Sequence, residues 1–381
     1  MQPLSAIYGE IAWRRRLWYA RRSDARRRLM RPVISVGGLS AGGSGKTPLV
    51  AHLARLLLAH NERPAVLSRG YRRPAPVDGV VVVRDASAVR AGLDRAGDEP
   101  VMLAHALEGV AVLVCPDRYL AGRLAETRLG STVHVLDDGF QHLSLDRDVD
   151  LLIVSTEDLG DPRVLPAGRL RERIGAARVA DALLVPDVSP GTAAELAGRL
   201  GVPHAFALTK RLGALRSWTR LAPPSASSAR AEPFDTVRPE SVEGMNGAQD
   251  RPVEPGEGQE FDLIPAGSVR QVVAVAGIAR PQRFFDDLRH LGLDVVETHA
   301  YRDHHLYRQR DLDDLRQTMR AVRAEWIVTT EKDLVRFRAL ELGDLPLAWA
   351  RLEVGVEPAA EFRTWLVGRL AMARESTDNR R

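Results

Sequence analysis

Between Val33 and Thr47 the chain reads VISVGGLSAGGSGKT, and the apolar-periodic segment PLVAHLARLLLAH follows directly. Apolar β-formers run into a glycine-rich loop that closes on Gly-Lys-Thr with a helical pattern behind it. That order constrains the fold more than any other stretch, because it specifies strand, phosphate loop and helix in succession. Glycine lets backbone N–H groups converge on phosphate oxygens where a Cβ would intrude, and the following helix presents its positive dipole end to the same anion. In this reading Gly42, Gly43, Ser44, Gly45, Lys46 and Thr47 bind nucleotide phosphates. Lys46 reaches the β- and γ-phosphates and the Thr47 hydroxyl ligates Mg²⁺. The strict pattern G-x-x-x-x-G-K-[ST] asks for glycine where Ser40 stands, yet Gly42, Gly43 and Gly45 keep the loop permissive. The bland alternative is a glycine turn before an ordinary helix, and the flanking strand and helix weigh against it.

Composition adds weight to that lysine. Of 54 basic residues, 51 are Arg and only Lys46, Lys210 and Lys332 are Lys. A compact ammonium suits a tight phosphate cradle where a planar guanidinium does not. A length of 381 residues fits two domains, each with its own core. The net charge of +4 suits an anionic substrate or a membrane surface and does not by itself indicate nucleic acid. The one cysteine, Cys115, ends the apolar run VAVLV. It permits no internal disulfide, fits a reducing compartment and reads as a small buried apolar residue. No uninterrupted apolar run reaches about 18 residues, so no transmembrane helix is expected, and arginine breaks the N-terminal apolar stretch before a secretory signal can form.

The N-terminus has its own pattern. Leu4, Ile7, Tyr8, Ile11 and Trp18 fall within an arc of roughly 100° on a helix, and nine Arg lie between Arg14 and Arg31. Such a helix lies in a bilayer interface with its arginines on acidic lipid, or it docks on the domain with a solvated basic face.

Strand candidates then recur at 65–68, 80–83, 111–114, 133–136, 151–154 and 182–185, with helical patterns at 101–107, 119–128 and 192–200. This alternation predicts an α/β domain built on a mostly parallel sheet covered on both faces. From Ala222 to Gly267 apolar residues thin out among Pro, Ser, Gly and Glu, so 222–267 is expected to be a disordered insertion. A second, smaller α/β unit follows: strand QVVAVAG, helix PQRFFDDLRHL, strand DVVETHA, helix DLDDLRQTMRAV, strand WIVTTEKD and a final helix near 358–374. Two such domains leave a cleft in which a kinase closes on nucleotide and acceptor.

The chemistry-bearing residues gather at strand ends. HVLDDGFQH sets Asp137 and Asp138 just past an apolar strand, where a carboxylate holds the Mg²⁺ shell in a phosphate-loop protein. GDEP places Asp98 and Glu99 at a helix start, a common capping position. YRDHHLY clusters Asp303, His304 and His305, and an Asp beside a His suits an oriented imidazole for proton transfer or a phosphate contact. A zinc site there lacks thiols and spaced ligands. CPDR brings Asp117 and Arg118, LPAGRLRE brings Arg169, Arg171 and Glu172, and SRGYRR brings Arg69, Arg72 and Arg73. Each alone is a surface arginine by default, but together at the functional edge of a sheet they suit a doubly anionic acceptor.

These blocks, VGGLSAGGSGKTP, SRGYRR, GDEP, PDRYLAG, VLDDGFQH, LPAGRLRE, VAGIARPQRFF, YRDHH and TTEKD, occur in an order that resembles the tetraacyldisaccharide 4'-kinase family. The resemblance covers nearly all the chain outside 222–267. It implies transfer of the ATP γ-phosphate, with Mg²⁺, to the 4'-hydroxyl of a tetraacylated glucosamine disaccharide 1-phosphate. The place implied is the cytoplasmic face of the inner membrane, reached as a peripheral or monotopic protein, with no nucleic acid and no required protein partner. It also implies an N-terminal membrane-interface helix (1–30), a phosphate-loop kinase domain (31–202), a short β linker (203–221) and a smaller C-terminal α/β domain (268–381). In such enzymes the GDEP aspartate and the DHH-region histidine form a catalytic pair, which maps onto Asp98 and His304 beside Lys46. Thr47, Asp137 and Asp138 map onto metal positions, and Arg118, His142, Arg171 and Glu172 onto substrate positions. The family often has Asn where this chain has Gly38, and 222–267 falls near the expected hinge. Two rival readings are a phosphate-loop kinase of a soluble small molecule and a non-catalytic NTPase switch.

Overall fold

All six residues of the strand Val33–Gly38 are buried, which marks it as an interior strand covered on both faces. The computed structural model describes residues 2–42, 45–71, 73, 78–220, 258–263 and 271–378. Gly43 and Ser44 of the expected phosphate loop, Arg72, and most of the expected insertion lie outside the described residues.

The chain forms two compact units. One comprises Met1–Arg69, Ala106–Arg211 and Glu353–Arg381, and the other Gly70–His105 and Leu212–Leu352. Where the sequence suggests consecutive domains at 31–202 and 268–381, the chain instead leaves the first unit at Gly70, returns at Ala106, and returns again at Glu353.

In the first unit the parallel strands run in the order His204–Arg220, Ala182–Pro186, Val149–Ile153, Val33–Gly38, Val133–Asp137, Pro64–Ser68 and Ala111–Val114. Val36 lies level with Asp137. The phosphate loop, the Asp137–Asp138 pair and the Arg118 turn therefore leave the same carboxyl edge, where open parallel sheets bind ligands. The helix Lys46–Ala59 buries Leu49, Val50, Leu53, Ala54 and Leu57, a stripe at three- and four-residue spacing. Its N-cap, Gly45, has φ 91°, a conformation that glycine adopts without a Cβ penalty. Gly37 serves a different need, since a Cβ there would stand 2.3 Å from the Cβ of Phe140, which is fully buried.

The second unit carries parallel strands in the order Asp294–Ala300, Gln271–Ala276, Trp326–Thr330 and Leu347–Glu357. Two-residue periodicity splits its core between the faces. Val273, Val275, Ile327 and Trp349 pack with Leu312, Leu315 and Phe337. Val272, Ala274, Val328 and Ala348 pack with Phe284, Phe285 and Leu288.

Three local readings change. The segment WIVTTEKD is strand only to Thr330, whose hydroxyl caps the helix Glu331–Phe337 by accepting the Asp333 N–H. Leu347–Glu357, absent from the sequence expectations, is a strand whose first four residues are all buried. Gly258–Leu263, assigned to the structureless insertion, forms a strand antiparallel to Arg216–Arg220. Its apolar Phe261 and Leu263 alternate with polar neighbours, and pairing along an existing strand satisfies its backbone locally. In the stretch expected as a β linker, 203–221, the chain forms the strand His204–Arg220.

The N-terminal helix Gln2–Arg21 is present and turns its apolar stripe outward. Leu4, Ile7 and Ile11 are 60%, 58% and 62% exposed, and Tyr8 and Trp18 are exposed too. The opposite stripe holds Ser5, Gly9 and Arg16, which are buried. Among the described residues no helix is long and apolar enough to cross a membrane.

Candidate active site

The phosphate loop ends at Gly45, and Lys46 and Thr47 open the helix behind it. Lys46 Nζ lies 3.6 Å from Asp138 Oδ1 and 3.5 Å from the Gly42 carbonyl oxygen. Arg171 Nη1 donates to Asp138 Oδ2 at 2.6 Å. Burial works against the Asp138 charge, but Lys46 and Arg171 hold its carboxyl below the usual carboxylate range. Asp138 sits at φ 53°, an uncommon backbone state for a residue with a Cβ, and its Oδ1 is buried without a hydrogen-bond partner. Asp137 is buried at the end of its strand and accepts from Ser68 Oγ at 3.5 Å. Asp138 Oδ1, which has the Lys46 ammonium nearby but no hydrogen bond, an adjacent carboxylate and the Thr47 hydroxyl fit a Mg²⁺ ion, which takes one or two carboxylates and completes its shell with waters and substrate phosphates.

Asp117 caps the helix Arg118–Arg128 by accepting the Tyr119 N–H at 3.1 Å. Arg118 is thereby set, buried, at the sheet edge with its Nε unpartnered. Burial, then the neighbouring Arg69, lower it to about 10, so it is still a cation at neutral pH. Burial, followed by Arg118, pushes His142 down to about 4, which keeps that imidazole neutral. A buried cation with an idle donor, beside a neutral imidazole, suits an anionic oxygen.

Glu172 is placed otherwise. Both of its oxygens are taken by Arg16, at 2.6 and 2.8 Å, and Gln141 donates to one of them at 3.1 Å. Arg16 also lies over the Phe140 ring at 4.3 Å and donates to the Phe140 carbonyl. Glu172 therefore anchors the N-terminal helix, with Gln141 in turn donating to the Gly38 carbonyl at 3.1 Å. Because Gln141 also faces Arg171 across 3.4 Å, that helix is tied to the residues around Asp138.

A second cluster lies wholly within the other unit. Asp98 opens the helix Asp98–Ala106, and its Oδ1 accepts the Glu99 N–H at 3.0 Å. Its Oδ2 accepts from His304 Nδ1 at 2.8 Å and from Arg336 Nη2. Burial opposes the Asp98 charge, but the His304 hydrogen bond and the Lys332 and Arg336 charges hold it well below the usual carboxylate range. Arg336 is fixed in turn by Asp333, at 2.8 Å. Asp333 is fully buried and also receives the Gly277 N–H, the Thr330 hydroxyl and the Tyr307 hydroxyl. His304 sits at φ 62°, with its N–H on the Gly277 carbonyl at 3.1 Å. On the other side of the ring, Lys332 Nζ lies 3.2 Å from Nε2. His305 points to different company, bonding Asp311 at 3.0 Å and stacking on Tyr301.

The structure thus brings Lys46, Thr47, Asp137, Asp138, Arg118, His142 and Arg171 to one sheet edge, and pairs Asp98 with His304 elsewhere. Sequence reasoning missed Arg16, Arg336 and Asp333. Arg16 is one of nine N-terminal arginines and carries no distinguishing mark, whereas Arg336 is four residues from Lys332 on one short helix, a spacing that shares a face. The lysine scarcity was the usable signal. Besides Lys46 and Lys332, Lys210 brings its Nζ within 3.5 Å of where a Cβ at Gly45 would stand. Among the described residues no group of three or more His, Cys, Asp or Glu is arranged to hold a metal by itself.

Comparisons with known proteins bear on the chain as a whole. A sequence model of the family described as Tetraacyldisaccharide-1-P 4'-kinase matches residues 1–371. The chain is 37% identical to the tetraacyldisaccharide 4'-kinase of Geobacter sulfurreducens over 352 residues, covering 92% of this chain and 87% of the relative. It is 36% identical to that of Syntrophus aciditrophicus, covering 87% and 82%. Among solved structures it is similar to LpxK from Aquifex aeolicus in complex with ATP, with TM-score 0.70, 28% identity, and coverage of 97% of this chain and 98% of that one.

Proposed function

This chain belongs to the tetraacyldisaccharide-1-P 4'-kinase family, and we propose how its two clusters divide the work of that reaction. The enzyme transfers a phosphoryl group from ATP to the 4'-hydroxyl of a tetraacyldisaccharide 1-phosphate, a lipid A precursor. Phosphate handling falls to the first unit. Lys46 and the backbone of the glycine loop hold the β- and γ-phosphates, while Thr47 and the Asp137–Asp138 pair would hold Mg²⁺, which would supply charge neutralisation at the phosphates. Arg171 keeps Asp138 ionised, and Arg118 with His142 binds an anionic group of a substrate.

Proton handling falls to the second unit, and the observation that carries this reading is the 2.8 Å bond between Asp98 and His304, residues 206 apart in sequence. A sugar hydroxyl is a weak nucleophile at neutral pH and needs a positioned base. Every oxygen of Asp98 is already engaged, by the Glu99 N–H, His304 and Arg336. Asp98 is therefore the group that orients the imidazole, and His304 Nε2 accepts the proton. The direct test is phosphate transfer from labelled MgATP to a tetraacyldisaccharide 1-phosphate in detergent micelles. A labelled bis-phosphorylated lipid is expected. Folded, ATP-binding protein that labels a soluble sugar and leaves the lipid untouched would refute the assignment.

The outward apolar stripe of Gln2–Arg21 supports docking on a membrane surface, which we place at the cytoplasmic face of the inner membrane, where MgATP is at hand. The helix is held from behind by Arg16, by Ser5, whose hydroxyl accepts the Ala167 N–H at 2.9 Å, and by Arg173 on Glu10. Its exposed Ile and Leu are then free to enter the acyl boundary while the arginines meet acidic headgroups. Replacing Ile7 and Ile11 by Asp should lower binding to phosphatidylglycerol-containing vesicles by about tenfold or more. ATP binding should be unchanged, since both side chains are solvent-exposed. Vesicle cosedimentation reads this out, and unchanged binding by the double variant would remove the helix from membrane docking.

A further inference from the structure

We propose that Lys332 is a positioning residue that holds His304 in the tautomer with its lone pair on Nε2 and occupies that lone pair until the acceptor hydroxyl arrives. The inference rests on His304 being the proton acceptor, as argued above.

The argument begins with donor count. A lysine ammonium has three donors and no acceptor. At 3.2 Å from His304 Nε2, Lys332 can hydrogen-bond the ring only where Nε2 is the accepting nitrogen. The ring proton then sits on Nδ1, which faces Asp98 Oδ2 at 2.8 Å. Asp98 is itself fixed by Arg336, so the tautomer is specified from both sides of the ring. Asp98 and Arg336 lie at the Nδ1 side, Lys332 and Asp303 at the Nε2 side, and the Tyr71 ring meets the imidazole edge-on at 6.4 Å.

The second step concerns where the ammonium goes. Lys332 Nζ also lies 3.3 Å from Glu99 Oε1 and 3.8 Å from Asp303 Oδ1. Leaving Nε2 therefore costs it one partner while two carboxylates retain its charge. The acceptor hydroxyl can take the vacated position on Nε2. The hydroxyl O–H bond then breaks with its proton going to Nε2, the oxygen–phosphorus bond forms, and the bond from the γ-phosphorus to the bridging oxygen breaks to release ADP. A thin, compact ammonium fits this exchange and a forked guanidinium does not, which accounts for a lysine here in a chain with 51 Arg and 3 Lys.

The test compares the native full-length chain with Lys332→Met and Lys332→Arg. Lys332 is 19% exposed, so methionine fills its place without opening a core. One readout is steady-state kinetics with MgATP and tetraacyldisaccharide 1-phosphate in detergent micelles. The other is the ¹⁵N–¹H correlation of the histidine rings, with His304→Gln assigning the signal. Lys332→Met should lower kcat by about tenfold or more, a fraction of what general-base catalysis supplies. KM for both substrates should stay within about threefold. The His304 ring signals should lose the fixed Nδ1–H pattern, and Lys332→Arg should restore neither fully. Unchanged ring signals in Lys332→Met overturn the proposal, and so does a loss confined to KM, which would make Lys332 a substrate-binding cation. The ring signals are read without substrate. If the native chain fails to phosphorylate the lipid, the assigned function falls while the Lys332 tautomer effect is still decided.

Discussion

Asp98→Ala is expected to lower kcat for phosphorylation of the glycolipid by about two to four orders of magnitude, the range general-base catalysis contributes. The reason is positional. Asp98 Oδ2 holds His304 Nδ1 at 2.8 Å, and the alanine leaves the ring without its orienting partner. KM for ATP should change little, because the phosphate-binding groups sit in the other unit. If Asp98 and His304 act as one device, the double variant Asp98→Ala/His304→Ala should be scarcely worse than either single variant. Multiplying losses would show that the two act separately. A thermal melt must accompany the kinetics, because the substitution leaves the buried Arg336 with Asp333 as its remaining carboxylate partner. The stability effect has a sign that pH can check. The folded-state carboxyl of Asp98 is depressed, so its contribution is fully present above the ordinary carboxylate range and fades as pH falls through the folded value. Asp98→Asn should therefore cost stability at neutral pH, and its deficit relative to the native chain should shrink in strong acid.

Lys46→Ala is the other large effect, expected to reduce kcat by about two to three orders of magnitude through loss of charge stabilisation on the transferring phosphoryl group. The fold should tolerate it, since Arg171 remains on the Asp138 carboxylate at 2.6 Å. Lys46→Arg should recover little, because a planar fork cannot reproduce a point charge inside a loop of backbone N–H groups. Single-turnover kinetics with MgATP would separate loss of chemistry from loss of nucleotide affinity. A Lys46→Ala enzyme that turns over like the native chain would remove the loop from catalysis.

How much of this was legible in the sequence follows from the range of the interactions involved. The phosphate loop and the carboxylates at the end of Val133–Asp137 rest on contacts within a few residues, so their patterns announced them. The boundary at Thr330 rests on an equally local signal, a Thr three residues before Asp333, but the apolar run ahead of it masked the cap. The strand Leu347–Glu357 passed unread because its first residues are buried on both faces and lack the alternation that marks a half-buried strand. Glu172 was placed among the substrate positions by the family resemblance, and its partner in the fold, Arg16, lies 156 positions away where no local pattern shows it.

By itself the sequence determined the phosphate loop, the mostly parallel α/β architecture, the family and the apolar stripe on the first helix, while the structure decided that the stripe faces outward. Each depends on residue type at short spacing, which local sterics and hydrophobic periodicity translate directly into structure. Only the tertiary structure decided that Gly70–His105 packs with Leu212–Leu352, and with that packing came the contacts of Asp98 with His304 and Arg336 and of Glu99 with Lys332. It also sets His304, and not His305, against Asp98, His305 bonding Asp311. The pairs made by Asp98 and Glu99 join residues more than 200 positions apart, and no local propensity encodes them. They form because burying the core of the second unit brings the GDEP turn against the YRDHH and TTEKD segments, where desolvated charges must find partners.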